Sequence, residues 1–478
     1  MPKFKPLRED QHFLLPPTLD EFVPAGHLAR VVSGIVDEMD TSDIESKYSR
    51  LGQNTYHPKI MLKLLFYGYA IGVRSGRKIA SACETDTAFM YLAQMYGPDF
   101  RTINDFRKNH SAEIGACFTQ VVRVCESMGM VKVGTICIDG SKLKASASAK
   151  RTKDEEGYRA WLARVEAEIE KILSEAEETD RAEDEEYGEK RGDELPRELG
   201  EKERLREKIK EAMRGLKEGG KVNSTDPDAC FMRERHGVIR PAYNCQLAVA
   251  EGQVIVAAEV TTCAVDSGEL APVLERAEEN LDQEVETVIA DAGYGSYDNY
   301  QYLDEKGKEA YIPDRDFERA RRRSPQEEGD RYHKDNFRYR RRENLYICPE
   351  GKALPFYKRR VSDEGKVARK QLIYRGVECS GCPKRKLCTK QKARTIVREL
   401  REELKEDMRE RLLSEEGKRI YRKRMHTVEP PFGHLKHNLG YKTFLLRTVE
   451  KVRAEFKLMC IGYNLTKIWR CMPAEGTA

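Results

Sequence analysis

The sequence contains no long apolar run and no nucleotide-binding motif. Nowhere in its 478 residues does an apolar stretch approach the roughly 18 residues that a membrane-spanning helix needs. The first ten residues, MPKFKPLRED, lack the apolar core of a signal peptide. Neither a Walker-type phosphate loop nor a dinucleotide fingerprint occurs. These absences predict a cytoplasmic protein without a membrane partner, and they argue against nucleotide hydrolysis.

A strong excess of charge of one sign is also missing. Lys and Arg number 85 and Asp and Glu number 81, so the net charge is only +4. Two segments are more basic: residues 420–457 hold nine Lys/Arg and three Glu, and residues 314–344 hold eleven Lys/Arg and eight acids. Basic segments with interleaved Tyr and Phe are typical of proteins that bind a phosphate backbone. A solvated helix face is the alternative for either segment.

Cysteine is present in an odd number, thirteen, which argues against a disulfide framework in a cytosolic chain. Some of these cysteines, such as Cys137 and Cys245, are expected to be buried core residues. An Arg-rich segment differs, because its CSGCPKRKLC contains a CxxC turn. The spacing predicts a structural zinc knuckle, with reduced, metal-free thiols as the alternative. The candidate zinc ligands are Cys348, Cys379, Cys382 and Cys388.

The first part of the chain is predicted to be helical. Residues 1–130 show helical periodicity, and we expect a helical N-terminal domain that binds DNA ends or mediates dimerisation. Its last short helix has Thr102 as a plausible N-cap. That helix is expected to carry Arg107 and Lys108 on its outer face.

The rest of the chain predicts an α/β protein with two insertions. Residues 131–313 read as strand, strand, strand, helix, strand, helix, strand, which indicates a mixed five-stranded sheet with helices. Residues 154–219 interrupt this core with two amphipathic stretches, a predicted helical hairpin. Residues 314–394 form an Arg-rich insertion with the cysteine motif. Residues 395–472 are predicted to be helical and to complete the core.

Acidic residues stand at two predicted strand ends, each before a glycine-containing turn. Asp139 stands near the end of VGTICIDG, and Asp291 stands near the end of VETVIADAG. Either residue alone is commonly a turn or cap residue, but two at equivalent points of one sheet favour a metal site. Mg²⁺ needs only two or three carboxylates when substrate oxygens and waters complete its shell. Weaker candidates are Asp226 and Asp228, which a turn explains equally well. Asp266 is expected to cap a helix, and the alternative is a regular helix that begins a few residues later, because Pro272 lies too far in for a start at Asp266.

ICIDGSK, ADAGYGS and YRKRMHTVEPPFGHLK resemble the three acidic motifs of DDE transposases from bacterial insertion sequences, and are most similar to insertion-sequence family eleven-eighty-two. The resemblance implies an RNase-H-like catalytic fold in which Asp139, Asp291 and Glu429 are catalytic and hold two Mg²⁺ or Mn²⁺ ions. The implied reaction is cleavage of DNA at terminal inverted repeats and transfer of the freed 3′-OH into target DNA. Synapsis of two ends favours a homodimer, associated with the nucleoid when it binds DNA. The alternatives are an RNase-H-like nuclease without strand transfer and a non-catalytic DNA-binding protein.

The third motif departs from the family pattern by one residue. Tyr421 and Arg424 keep the family's first spacing, and Glu429 and Lys436 keep its last, but four residues instead of three separate Arg424 from Glu429. Arg422 is therefore an alternative to Arg424. The residues assigned to the DNA backbone are Lys142, Lys144, Tyr421, Arg422, Arg424 and Lys436.

Two prolines directly follow Glu429. If Thr427 is the N-cap of a helix, Pro430 and Pro431 fall in its first four positions, whose N–H groups have no intrahelical partner. Glu429 would then lie in the first turn, where the helix dipole favours the ionised carboxylate. The alternative is one longer helix that is kinked at the prolines.

Overall fold

The computed structural model describes residues 18–49, 55–187, 197–216, 220–234, 237–317, 331–362 and 369–472. The N-terminal decapeptide considered for a signal peptide, and parts of the predicted insertions, lie outside the described residues. The chain divides into two compact units, which are described separately. The first comprises Met1–Val265, Pro272–Glu284 and Met425–Ala478, and the second comprises Asp266–Ala271 and Val285–Arg424.

The elements are numbered in chain order. The helices are α1 (Leu19–Phe22), α2 (Leu28–Glu38), α3 (Ser42–Glu45), α4 (Pro58–Ala70), α5 (Gly76–Thr85), α6 (Thr87–Leu92), α7 (Phe100–Asn109), α8 (Ser111–Ser127), α9 (Glu155–Tyr187), α10 (Arg197–Arg214), α11 (Leu270–Leu281), α12 (Tyr297–Glu305), α13 (Arg385–Cys388), α14 (Glu402–Leu413), α15 (Glu415–Thr427), α16 (Glu429–Gly433) and α17 (Val449–Cys471). The strands are β1 (Lys132–Lys144), β2 (Thr152–Lys153), β3 (Val222–Asn223), β4 (Cys230–Arg233), β5 (Ile239–Glu251), β6 (Ile255–Thr261), β7 (Thr287–Ala290), β8 (Glu309–Tyr311), β9 (Arg338–Arg340), β10 (Leu345–Ile347), β11 (Ala353–Ser362), β12 (Arg369–Arg375) and β13 (Thr395–Glu399). Within the described ranges, none of the helices has the length and apolar character required to cross a membrane.

The N-terminal region of the first unit is helical, as predicted. Helix α4 has Pro58 at its first position, where the missing N–H costs no hydrogen bond, and it is buried over nearly its whole length. Helix α17, from the other end of the chain, packs against α4, α8 and β6. Its own side chains are mostly buried. A C-terminal helix therefore completes the core that the N-terminal helices begin.

Helix α7 begins earlier than predicted. Its N-cap is Asp99, whose carboxylate accepts hydrogen bonds from the backbone N–H groups of Arg101 and Thr102 at 2.6 and 3.0 Å. Thr102 is therefore inside the helix, and the prediction that it is the cap is wrong. An aspartate before the helix satisfies two N–H groups that have no intrahelical partner, which favours the earlier start.

The prediction that Arg107 lies on the outer face of α7 is also wrong. Its side chain is buried, and its guanidinium donates to the Tyr69 hydroxyl at 2.9 Å and to the Arg74 carbonyl at 3.1 Å. Lys108 is exposed, as expected. A buried arginine is tolerated here because both Nη atoms are hydrogen-bonded: Nη1 to acceptors from another helix and from a loop, and Nη2 to Asn104 Oδ1 at 3.1 Å.

The sheet of the first unit is antiparallel, with β5 paired to β1, β4 and β6. Strands β5 and β6 form a β-hairpin, which the two short apolar runs on either side of Glu251-Gly252-Gln253 predict, and its turn contains Gly252 with a left-handed backbone (φ +93°). Strand β1 pairs with β5 from Lys132 to Lys144. The prediction that the first strand ends at Asp139 is therefore wrong. Because β5 supplies partners as far as Ala242, the ladder continues past the aspartate.

Helices α9 and α10, within the predicted charged hairpin, pack against each other in the first unit. The helical spacing of Val165, Ile169 and Leu173 predicts one apolar stripe on α9, but Leu173 is 40% exposed and so lies at the margin of the contact. Trp161, Leu205, Met213 and Leu216 are partly buried against the contact. Its buried core consists of Tyr158, Val165, Ile169, Leu199, Ile209 and Ala212.

The second unit contains a parallel strand pair and an antiparallel sheet. Strands β7 and β8 run parallel, with Thr287 opposite Glu309, and the Ser296 side chain caps α12 by accepting a hydrogen bond from the N–H of Asn299. The antiparallel sheet has the order β13-β12-β11-β10-β9. Residues from Thr395 were predicted to be helical, but Thr395–Glu399 form β13, because each residue pairs with β12. Both units together give the mixed α/β composition that the sequence predicts.

Candidate active site

Asp139 lies within β1, in the first unit. Residues 136–138 before it are buried, whereas Asp139 itself is half-buried. It pairs with Leu247 of β5, and its Oδ1 accepts a 3.0 Å hydrogen bond from the N–H of Gly140. Residues on both sides of Asp139 pair with β5. The ladder therefore fixes the backbone that carries this carboxylate.

Lys436 contacts the same strand. Its ammonium donates to the Ser141 hydroxyl at 2.5 Å and to the carbonyl of Lys142, whose side chain is half-buried, at 3.0 Å. Side chains two residues apart on a strand project from the same face, so Ser141 and Asp139 share a face of β1. The structure therefore brings the lysine of the third motif to the face that carries the acid of the first.

The segment after the third motif is fastened to the end of β1. Backbone hydrogen bonds of 3.3 and 2.9 Å join Lys144, whose side chain is half-buried, to residues 442–444. Glu455 of α17 is fully buried, accepts hydrogen bonds from the N–H groups of residues 445–446, and forms a 3.1 Å ion pair with Arg74. Lys436 is thus followed by a segment that is held at two further points.

Glu429 is the first residue of α16, and its side chain is exposed. Thr427 is the last residue of α15 and not the N-cap of α16, whose cap position is Val428. Val428 keeps a right-handed helical backbone (φ −98°, ψ −25°), so the alternative of a longer helix interrupted at the prolines describes this segment better. A π-helical turn, His434–Asn438, then carries Lys436.

Asp226 and Asp228 have a structural role. Asp226 is fully buried and accepts hydrogen bonds from the Tyr243 hydroxyl at 2.7 Å and from the N–H of Thr448 at 3.0 Å. Asp228 accepts from the N–H of Val449 at 2.9 Å. Burial raises the pKa of Asp226. Because Thr448 and Val449 begin α17, the two carboxylates lie at the positive end of a long helix dipole.

Asp291 directly follows β7, in the second unit, where the strand ends as predicted. Its Oδ1 accepts a 2.7 Å hydrogen bond from the N–H of Gly293, and its Oδ2 lies 3.9 Å from Nη2 of Arg424. A Cβ at Gly293 would lie 2.8 Å from Asp291 Oδ1 and 3.4 Å from Asp266 Oδ2. A side chain there would displace the Asp291 carboxylate, and the two carboxylates flank the same glycine.

The remaining residues of the third motif lie on α15. Tyr421 and Arg424 are half-buried, whereas Arg422 is exposed. Arg424 approaches Asp291, so its position is suited to orienting that carboxylate. Of the two arginines that the irregular spacing left as alternatives, Arg422 is the more accessible to a phosphate.

The metal predictions are consistent with the chemistry of the donors. Asp139, Asp291 and Glu429 carry hard oxygen donors, which Mg²⁺ and Mn²⁺ prefer, and all three are at least partly accessible to solvent. Among the residues that the structure describes, no group of three or more His, Cys, Asp or Glu is arranged to hold a metal ion. The donor types therefore fit a divalent cation, while the described residues contain no preassembled cluster.

Two residues beside the candidate acids were not predicted as site residues. Ser141 contacts Lys436. The sequence feature that could have indicated Ser141 is its place two residues after Asp139 in ICIDGSK. Asp266 lies beside Asp291. The sequence feature that could have indicated Asp266 is its place shortly after another strand, β6. In both cases the residue is visible in the sequence, but its contact is seen only in the structure.

Comparison with protein families finds matches in two segments. Residues 347–469 match the family described as a transposase DDE domain, and residues 17–109 match a transposase domain designated DUF772. The first match contains Glu429 and Lys436, and the second contains most of the N-terminal helices. No curated protein matches the chain. The two family matches support a transposase of the DDE type, a class whose substrate is DNA and which generally uses divalent metal ions.

Proposed function

We propose that the chain is the DNA transposase of an insertion sequence, similar to family eleven-eighty-two, with an RNase-H-like catalytic core. The family matches at residues 17–109 and 347–469 support this proposal. The observation that carries it is the hydrogen bond between Lys436 and Ser141, because it joins the third acidic motif to the strand of the first. Lys436 and Ser141 are 295 residues apart in sequence. The two motifs that contain them must come together if they form a common active site.

The proposed reaction is cleavage of a phosphodiester bond at each terminal inverted repeat, followed by attack of the freed 3′-OH on target DNA. Asp139, Asp291 and Glu429 are the residues that would hold two Mg²⁺ or Mn²⁺ ions. Such ions, when bound, stabilise the charge on the attacking and leaving oxygens of an in-line displacement. The exchange of one phosphodiester for another needs no nucleotide.

The basic residues of the site would position the DNA. Lys436 is held by Ser141 on the face of β1 that carries Asp139, where its ammonium can bind a phosphate oxygen near the reacting bond. Arg424 would orient Asp291 in addition to contacting DNA. The proposed DNA-contacting residues are Lys142, Lys144, Tyr421, Arg422, Arg424 and Lys436.

The proposed organisation gives each region one task. Residues 1–130 would bind the element ends or mediate dimerisation. Residues 131–313 and 395–472 would form the catalytic core, interrupted by the insertions at 154–219 and 314–394. A homodimer would hold two terminal repeats together in the synaptic complex.

The test is cleavage of duplex DNA that contains the sequence flanking the coding region, in Mg²⁺. We expect Asp139→Asn, Asp291→Asn and Glu429→Gln each to lower cleavage by about 10³-fold, since several kcal/mol of transition-state stabilisation are lost. DNA binding should be retained. The matched control is Glu416→Gln, an exposed acid on α15, which should cleave normally. Full cleavage by all three site variants would refute the assignment.

A further inference from the structure

Four cysteines of the second unit line a single pocket beside its antiparallel sheet. They come from separate parts of the chain: the turn after β10, the loop after β12 and the end of α13. All four are half-buried, whereas every other cysteine of the chain is either buried or exposed. We refer to this site as the thiol pocket, and its members are Cys348, Cys379, Cys382 and Cys388.

The backbone around the thiol pocket is shaped to the sulfur atoms. Cys348 Sγ accepts a hydrogen bond from the N–H of Lys352 at 3.3 Å, and Cys379 Sγ accepts one from the N–H of Arg394 at 3.5 Å. A Cβ at Gly376 would lie 2.5 Å from Cys379 Sγ, so a side chain there would displace this sulfur from its present position. Backbone N–H donors stabilise a thiolate more than a neutral thiol, because they are directed at its negative charge.

The apolar core beneath the thiol pocket is small. Cys348 and Cys388 pack against it, so the pocket and the core are continuous. A sheet with so few buried side chains gains much from a cross-link, which in small folds is commonly a metal ion. The buried members of this core are Phe337, Tyr346, Leu354, Tyr374 and Ile396.

We propose that the thiol pocket binds one Zn²⁺ ion through its four cysteines and that this structural site ties the β10–β11 turn to the segment between β12 and β13. Four thiolates, two of them in a CxxC turn, match the tetrahedral sulfur coordination of zinc. Each thiol releases its proton to solvent when its sulfur binds the ion. Lys352, Arg385 and Arg394 line the same pocket together with Glu350 and Glu378, so three positive and two negative side chains leave a net charge of +1 that offsets part of the thiolate charge.

Zinc binding must draw the four sulfurs together. In the described part of the chain, no three potential ligands already form a metal-holding group. The cysteines lie in turns, a loop and a four-residue helix, which can adjust while the strands keep their pairing. The ion should therefore protect the loops around residues 376–394 from proteolysis more than it protects the strands.

The experiment measures metal content and coordination in the full chain. The protein is purified under reducing conditions without chelator, and zinc is measured by plasma mass spectrometry. The chelator-treated protein is then titrated with Co²⁺, whose absorption spectrum reports tetrahedral thiolate coordination. We expect one zinc per chain and a cobalt–thiolate spectrum, both lost in Cys348→Ser and Cys382→Ser. Cys230→Ser removes an exposed thiol outside the pocket and should retain both.

A chain that contains no zinc and gives no cobalt–thiolate spectrum overturns the proposal, as does full zinc content in both pocket variants. Circular dichroism of each variant identifies any that fail to fold, and the Co²⁺ titration of the unsubstituted chain tests the site without them. The readout is independent of DNA. Zinc binding without DNA cleavage would leave this inference standing and refute the proposed function, and cleavage without zinc would do the reverse.

Discussion

The two candidate catalytic aspartates are associated with strands of opposite kinds. Asp139 lies inside a long antiparallel strand, with residues before and after it paired to β5. Asp291 follows a four-residue parallel strand and is held by a turn N–H and by the approach of Arg424. The first carboxylate is therefore positioned by a backbone ladder, and the second by side chains and a glycine turn. Substitutions near Asp291 should therefore lower DNA cleavage more than substitutions near Asp139.

Apart from the substitutions of the catalytic acids themselves, the largest effect on DNA cleavage should come from filling the turn at Asp291. In Gly293→Ala the new methyl would lie 2.8 Å from Asp291 Oδ1, so the carboxylate must move. We expect DNA cleavage to fall by about 10²-fold, because small misplacements of reacting groups have effects of that size. The control is Gly268→Ala, where a Cβ meets nothing within 4 Å. If Gly293→Ala cleaves like its control, the turn does not position Asp291.

The stability of the second unit around β8 should also depend on Asp314, which lies just after that strand. It accepts two hydrogen bonds from Arg409, at 2.5 and 2.8 Å, and lies 3.4 Å from Lys405. Burial alone would raise its pKa, but these partners lower the pKa to about 2 from the usual 3.8. Asp314→Asn should lower the local stability around β8 by about 2 kcal/mol at neutral pH, as measured by hydrogen exchange.

The pH dependence of this contribution has a definite sign. Because the folded pKa of Asp314 is depressed, its stabilisation is complete above about pH 4 and is lost as the pH falls towards 2. The difference between the original chain and Asp314→Asn should therefore shrink in acid. Asp316→Asn, at a half-exposed acid near Lys405, is the control and should change stability little. A pH-independent difference would contradict this account.

Removing the charge of Lys436 tests the site around Asp139, on the paired strand β1. Lys436→Gln should lower cleavage by about tenfold, since an interaction with a charged group contributes on the order of 1.5 kcal/mol. If Lys436 binds a phosphate, the salt dependence of DNA binding should fall by about one unit of slope. Lys442→Gln, an exposed neighbour, should change cleavage less. An unchanged salt slope would indicate that Lys436 only fastens the segment to β1.

The smallest effect is expected from Asp266, which flanks Gly293 together with Asp291. Asp266→Asn keeps the size of the side chain and removes its charge, so we expect a loss of cleavage smaller than about tenfold. The Mg²⁺ concentration required for half-maximal cleavage should rise. A loss as large as that of Asp291→Asn would make Asp266 a member of the catalytic set instead of a neighbour.

The sequence predicts elements better than it predicts their ends and contacts. The β5–β6 hairpin and the strand before Asp291 follow from short apolar runs bounded by turns. The end of the first strand could not be predicted, because it depends on how far the partner strand extends. Likewise Thr395–Glu399 is a strand only because β12 lies beside it. Pairing across the chain decides these cases, and local preference does not reveal it.

The candidate site shows the same limit. An acid just before a glycine, at the end of an apolar run, distinguishes Asp139 and Asp291 in the sequence alone. The contact of Lys436 with Ser141, and the burial of Arg107 against Tyr69, join residues from distant parts of the chain. Charge alone suggested that both basic residues face solvent or DNA. A long cation can instead satisfy buried acceptors, and only the packed structure shows which of the two occurs.

The central claim is tested most directly by strand transfer from a pre-cut end. A duplex that ends in the terminal repeat flanking the coding region, with a free 3′-OH, is incubated with a target plasmid and Mg²⁺. The account predicts that the chain joins the 3′-OH to the plasmid and that Asp139→Asn does not. Cleavage without any joining would indicate a nuclease, and joining by Asp139→Asn at the normal rate would contradict the assignment of the catalytic acids.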